Sequence, residues 1–364
     1  MKIKLNRQDF IEKLNLSTHF TSTKISSLAV LHGVYIKIEK NKLHLYSSDI
    51  NSFFHTNVPV ESDKDGEFII EPKKPIEFLS FLSDAKIEIE VKDKQLFIIA
   101  EKTKGKFALM NSEEFPLPPK IEEKEQKIKT DFLVKNLPLV LFAASSDDTR
   151  PALSGVNFLT NEELVIVTTD GFRLSLVKTK KEKQLPSVII PADFLREITH
   201  FIKEEKEVNF SYSEKEKIVR FGIGDTELYS RLIEGEFPPF DKVIPLEKKT
   251  TIKLEKEDFL RNVKLISVFA RDFSYILVLE VKKNGVRFKP KTVEGEENTS
   301  FQEAEVEGED QKVAFNYKFL LDLLNAVSAK NIIIEILRSD APVVFKVENN
   351  PDFLHIIMPV RIQE

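Results

Sequence analysis

Three segments of the 364-residue chain open on the same pair of residues: Asp9-Phe10-Ile11, Asp131-Phe132-Leu133 and Asp258-Phe259-Leu260. They begin 122 and 127 residues apart, so the chain has to reach one kind of local structure three times. Each pair starts an apolar stripe at helical spacing, as in Phe10, Ile11, Leu14 or Phe259, Leu260, Val263, Ile266. Aspartate in the first turn suits the positive end of a helix dipole.

A second helix is expected in each copy, always behind a short apolar run. Phe68-Ile69-Ile70 leads to 75–83, Val188-Ile189-Ile190 to 191–203, and Val313-Ala314-Phe315 to 317–328. Pro75 and Pro191 fit a first helical turn, where a missing N–H leaves no bond unmade. Strict alternation at Ile87–Val91 and Val208–Tyr212, and the β-rich run Asn331–Ile336, predict strands. The first two copies also match between their helices. Leu31-His32-Gly33-Val34 aligns with Leu153-Ser154-Gly155-Val156, and Ser47-Ser48-Asp49 with Thr168-Thr169-Asp170.

Three units of about 120 residues are far longer than the 20–50-residue repeats of solenoids. The expected class is α+β, with domains at 1–120, 128–246 and 250–364. Linkers are expected near 116–129 and 238–250, both proline-bearing. Pro138 lies inside the stripe Phe132–Phe142, where it removes a backbone bond, so this helix is expected to be bent or short.

Composition narrows the function. There are 29 Phe and no Trp or Cys, which excludes disulfides and thiolate metal sites. The N-terminus carries charges without an apolar stretch behind them, and no window is long and apolar enough to span a bilayer. A cytoplasmic protein without a membrane partner is therefore expected. The net charge of −5 excludes a simple polycation, so basic groups meeting nucleic acid have to be segregated. One acidic stretch is Glu294, Glu296, Glu297, Glu303, Glu305, Glu307, Glu309 and Asp310, read as a solvated loop and edge strand.

Motifs for phosphate loops, zinc proteases and serine hydrolases are absent, and Gly222-Ile223-Gly224 lacks the third glycine of a dinucleotide site. The six histidines are scattered, and Asp170 in Thr169-Asp170-Gly171 has no paired base. No catalysis, cofactor or metal is expected. The alternatives are a hydrolase using Asp170 and a peptide-binding scaffold that does not touch DNA.

The run 145–156 (Ser-Ser-Asp-Asp-Thr-Arg-Pro-Ala-Leu-Ser-Gly-Val), followed by Thr169-Asp170-Gly171-Phe172-Arg173-Leu174, resembles the bacterial DNA sliding clamps, the β subunits of DNA polymerase III. Phe237-Pro238-Pro239-Phe240-Asp241-Lys242-Val243-Ile244-Pro245 is similar to the exit of their second domain. Phe315–Asp322 and Met358-Pro359-Val360-Arg361-Ile362 resemble their third-domain helix and C-terminus. The resemblance runs through the whole chain in order. It implies three clamp domains, each of two helices packed on antiparallel sheets, forming half of a head-to-tail homodimeric ring. Helices would line the hole and strands the outer rim.

Implied partners are a second copy of the chain, duplex DNA without sequence preference, and the replicative polymerase, clamp loader and repair polymerases. The proteins would dock through short hydrophobic peptides. The resemblance places their cleft at Arg150, Leu153, Thr169, Gly171, Phe172, Arg173, Leu174, Pro238, Lys242, Val243, Pro342, Val344, Ile356, Met358, Pro359, Val360 and Arg361. Without it, Leu153, Val243 and Ile356 would read as core. Two positions depart from the family, which often has His at Phe172 and Arg at Lys242. Sliding needs phosphate contacts rather than base contacts, and Lys24, Lys73, Lys74, Lys135, Arg196, Lys203, Arg261 and Lys264 are the candidates. Taken singly, each reads first as an ordinary solvated helix charge. Phe107, Leu265 and Ile266 match family interface positions, with buried core as the alternative.

Overall fold

The computed structural model describes residues 1–24, 28–111, 114–147, 149–180, 185–202, 205–271, 274–291 and 298–361. Lys203, Asp148, Ile362 and the acidic residues Glu294, Glu296 and Glu297 lie outside them.

Each copy opens strand-then-helix. Strand Lys2–Asn6 runs into α1 (Arg7–Thr18), and strand Gly66–Ile70 precedes α2 (Lys73–Ser80). The second copy has strand Gln126–Lys129 before α3 (Thr130–Asn136) and α4 (Pro138–Leu141), then strand Val188–Pro191 before α5 (Ala192–Phe201). In the third, strand Thr250–Glu255 meets α6 (Lys256–Ala270) and strand Gln311–Asn316 meets α7 (Tyr317–Ala326).

Local chemistry fixes these junctions. The Asn6 side chain accepts the N–H groups of Gln8 and Asp9, Glu255 that of Asp258, and Asn316 that of Lys318, so helix-start donors are satisfied where the strands stop. Pro138 does interrupt its helix: proline has no N–H to return to the Val134 carbonyl, and a new helical turn begins there. Just before the break, within α3, the Asn136 side-chain amide donates to the Phe132 carbonyl at 2.8 Å. Several boundaries differ from the sequence reading: α2, α5 and α7 end at Ser80, Phe201 and Ala326 instead of 83, 203 and 328. The first-copy second helix starts earlier, at Lys73, and Pro191 closes its strand rather than opening α5.

The strands pair antiparallel and divide between two compact units, residues 1–130 with 197–232, and residues 131–196 with 233–364. Among the described residues the first unit carries a 13-stranded sheet. Within it, strand Ser52–Pro59 of the first copy pairs with Thr226–Arg231 of the second, in the register Phe54↔Leu228. Its core packs Phe10, Leu14, Ile36, Leu45, Phe68 and Ile89, the inward faces of helix and alternating strands. The second unit carries a 9-stranded and a 4-stranded sheet. There, strand Arg173–Thr179 lies beside Asn350–Ile357, with Leu174 opposite Ile356.

The first two repeats share one packing constraint. A Cβ on Gly33 would sit 2.5 Å from Ile69 Cγ2, and one on Gly155 would sit 2.4 Å from Ile189 Cγ2. Both glycines let one strand start flush against the strand that precedes the second helix.

Candidate functional site

The second unit holds a cavity of about 260 Å³ lined by Leu153, Thr169, Gly171, Phe172, Arg173, Leu174, Pro238, Pro239, Phe240, Val243, Ile356 and Met358. Its walls come from four places. A 3₁₀ turn, Pro151–Ser154, supplies Leu153. The turn between strands Leu164–Thr169 and Arg173–Thr179 supplies Thr169, Gly171, Phe172, Arg173 and Leu174, the proline-rich segment running into the 3₁₀ turn Asp241–Val243 supplies Pro238, Pro239, Phe240 and Val243, and the end of the last strand supplies Ile356 and Met358.

The turn at 170–173 is set by its own side chains. Asp170 Oδ1 accepts the N–H groups of Phe172 and Arg173, each at 2.9 Å. Thr169 Oγ1 donates to the Arg173 carbonyl at 2.6 Å and accepts the Gly171 N–H at 3.1 Å. Gly171 has φ +91°, a conformation that favours glycine. The result pushes Phe172 outward, 61% exposed, while Leu174 turns into a buried cluster with Val167, Leu176, Val344 and Ile356.

Arg173, part of this wall, has its side chain mostly covered. Its Nε donates to Asp170 Oδ2 at 3.0 Å and its Nη1 to Asp322 Oδ2 at 2.6 Å, while the guanidinium lies 4.5 Å over the Phe319 ring. The cavity therefore presents mainly carbon, rimmed by backbone. Beneath it His355 is fully buried against Phe142, with ring centroids 5.0 Å apart. Among the described residues, neither of its ring nitrogens has a hydrogen-bond partner. Burial, reinforced by the Arg173 charge, holds its imidazole well below the ordinary range, so it is neutral. At the rim, the Thr149 hydroxyl and N–H hold the Asp147 carboxyl below its usual range, and Asp147 in turn accepts from Arg150 Nε at 3.2 Å.

Ten of the residues expected in a cleft line this one cavity: Leu153, Thr169, Gly171, Phe172, Arg173, Leu174, Pro238, Val243, Ile356 and Met358. Arg150, Lys242 and Arg361 are exposed outside the lining, and Pro342 and Pro359 are half-buried. Val344 is core, and Val360 packs on Ile276, Val278 and Ala314. Pro239 and Phe240 are added by the structure; the signal was the Phe-Pro-Pro-Phe run itself. Asp322 gave no sequence signal, since its role depends on Arg173, 149 residues away.

The remaining candidates are outside the lining of this cavity. Lys24, Lys73, Lys74, Lys135, Arg261 and Lys264 are exposed. Arg196 is tied down, donating to the Leu141 carbonyl at 2.8 Å and to Asp193, and Arg261 pairs with Asp258 at 2.7 Å. On α6, Leu265 is 52% exposed beside exposed Val268 and Phe269. Ile266 is 2% exposed, so the helix turns it into the protomer's core and away from any surface. Phe107 is half-buried, edge-on to Phe78 at 5.6 Å. No helix is long and apolar enough to cross a membrane among the described residues.

Comparison with known proteins adds three family matches in chain order. Residues 1–119, 127–239 and 241–361 match the N-terminal, central and C-terminal domains of the DNA polymerase III beta subunit. The beta sliding clamp of Bacillus subtilis strain 168 is 27% identical over 388 residues, covering 99% of this chain and 100% of that protein. A solved Bacillus subtilis DNA polymerase sliding clamp superposes with a TM-score of 0.91 at 24% identity, covering 100% of both chains. The DnaN sliding clamp of Bartonella birtlesii, solved bound to griselimycin, gives 0.91 at 24% identity with the same coverage.

Proposed function

Because the chain belongs to the DNA polymerase III beta-subunit family and is a bacterial DNA sliding clamp, we propose that it closes with a second copy into a ring around duplex DNA and tethers proteins through the Leu153–Met358 cavity. A sliding clamp is a processivity factor and is not itself catalytic, with DNA and polymerase as its partners. The fold is α+β, three clamp domains of helices and antiparallel sheets. On our reading the domains run 1–120, 128–246 and 250–364, and the protein works in the cytoplasm, where replication takes place.

The cavity carries the tethering proposal. Its carbon-rich lining suits apolar side chains of a short peptide, and fully burying one Leu or Phe is worth about 1.5–3 kcal/mol. Charged side chains find no free countercharge in the lining, because Arg173 is already paired on two sides. The replicative polymerase, the clamp loader and repair polymerases would present such peptides in turn, with Arg150, Lys242 and Arg361 outside the lining meeting polar flanks.

Ring closure finds support in two strand edges. Among the described residues, strand Thr103–Met110, which carries Phe107, pairs through Thr103–Ala108 with one neighbour only, and Ser300–Glu303 ends the 4-stranded sheet. Such edges seek pairing, and exposed Leu265 offers apolar cover. For DNA, the cations Lys24, Lys73, Lys74, Lys135, Arg261 and Lys264 meet phosphates without reading bases, and Arg196 contributes what its bonds to Asp193 and Leu141 leave over.

The test loads the protein on nicked circular DNA, raises the salt, then linearises the circle. Topological retention predicts that it survives salt and is lost on linearisation, whereas ordinary phosphate binding is lost with salt alone. Protein that stays on linear DNA with free ends contradicts the ring.

A further inference from the structure

We propose that Asp322 is a positioning residue for the cavity: acting through Arg173, it fixes the Thr169–Leu174 wall against α7. This rests on the reading of the cavity as a peptide site. One chain of charge-assisted hydrogen bonds runs outward from the turn. Asp170 holds the Phe172 and Arg173 amides with one oxygen and Arg173 Nε with the other. Arg173 Nη1 then reaches Asp322 Oδ2 on α7 at 2.6 Å.

The Arg173 side chain is only 10% exposed and its guanidinium lies over Phe319. A planar donor group held on two sides and against a ring has one orientation. Without Asp322, the outer half of the guanidinium loses its carboxylate while staying mostly covered, and it has reason to rotate toward water through the cavity it lines. Arg173 is therefore wall structure rather than a charge offered to the ligand.

A role confined to fold stability makes a different forecast. The Asp322 side chain is 45% exposed, so Asp322→Asn changes charge without opening a hole, and the protein should fold. Binding of an uncharged, end-capped peptide bearing adjacent Leu and Phe should weaken about tenfold in Asp322→Asn, the scale of one charge-assisted hydrogen bond. The Phe172 and Arg173 amides should exchange about tenfold faster in the unliganded variant. Asp322→Glu, which keeps the carboxylate, should recover most of both.

Wild-type affinity and wild-type exchange in Asp322→Asn would overturn the assignment, as would a lowered melting temperature with unchanged binding and exchange. If wild-type protein fails to bind the peptide, the cleft reading falls, and the exchange comparison alone still decides whether Asp322 holds the wall.

Discussion

The Met358 N–H donates to the Phe172 carbonyl at 2.8 Å, joining the end of the last strand to the tip of the 170–173 turn. Their backbones are locked while their side chains stand free, 38% and 61% exposed. Each is therefore available to a ligand without being needed for the fold. Phe172→Ala and Met358→Ala should each weaken a Leu-Phe peptide by about 1 kcal/mol, with little change in melting temperature. Titration calorimetry checks this, and a stability loss without an affinity loss would place both side chains in the fold.

Gly171 makes the opposite forecast. Its φ of +91° is the difficulty, since the nearest atom to an added Cβ is the flexible end of Arg150, at 3.3 Å. Gly171→Ala should destabilise by about 1 kcal/mol or more through backbone strain alone. Denaturant midpoints measure it, and an Ala variant as stable as wild type would mean that the turn relaxes.

His355 predicts a pH dependence. Its folded-state pKa is depressed by burial and by Arg173, so the unfolded chain takes up the proton first. Stability from this group is complete above about pH 6.5, the unfolded value, and falls as pH drops below it. His355→Phe should remove that slope and the unpaired ring nitrogens together. Melting curves between pH 5 and 8 decide; an unchanged slope would assign it to other groups.

Leu265→Asp should leave the protomer folded, because the side chain is half in solvent, and should break the proposed ring. Mass in solution would then fall from about twice the 41.9 kDa chain mass to that mass itself. A variant that keeps the doubled mass would move the seam away from α6.

Most of the fold was legible because it rests on local periodicity repeated three times. The Asp-Phe starts, the apolar runs before each second helix and the Pro138 break all depend on neighbours in sequence. The cleft residues came from the family resemblance; of them only the Thr-Asp-Gly-Phe-Arg turn, whose hydrogen bonds close within five residues, has a local physical cause. What escaped was long-range. Whether Ile266 or Leu265 faces water depends on the phase of α6 against its sheet, and the partner of Arg173 is a carboxylate on a helix from another repeat. Nothing at Asp322 distinguishes it from a solvated helix charge until the two elements meet.

The pairing of Ser52–Pro59 with Thr226–Arg231 bears on how such chains can be recombined. The expected 116–129 linker ends in strand Gln126–Lys129, so a crossover between homologues that cuts no helix and no strand has to fall at 116–125. It would nonetheless mate the Phe54 strand of one parent with the Leu228 strand of the other. Viable chimeras should therefore carry both strands from one parent, which makes the hydrogen-bonded seam, rather than the domain, the heritable block.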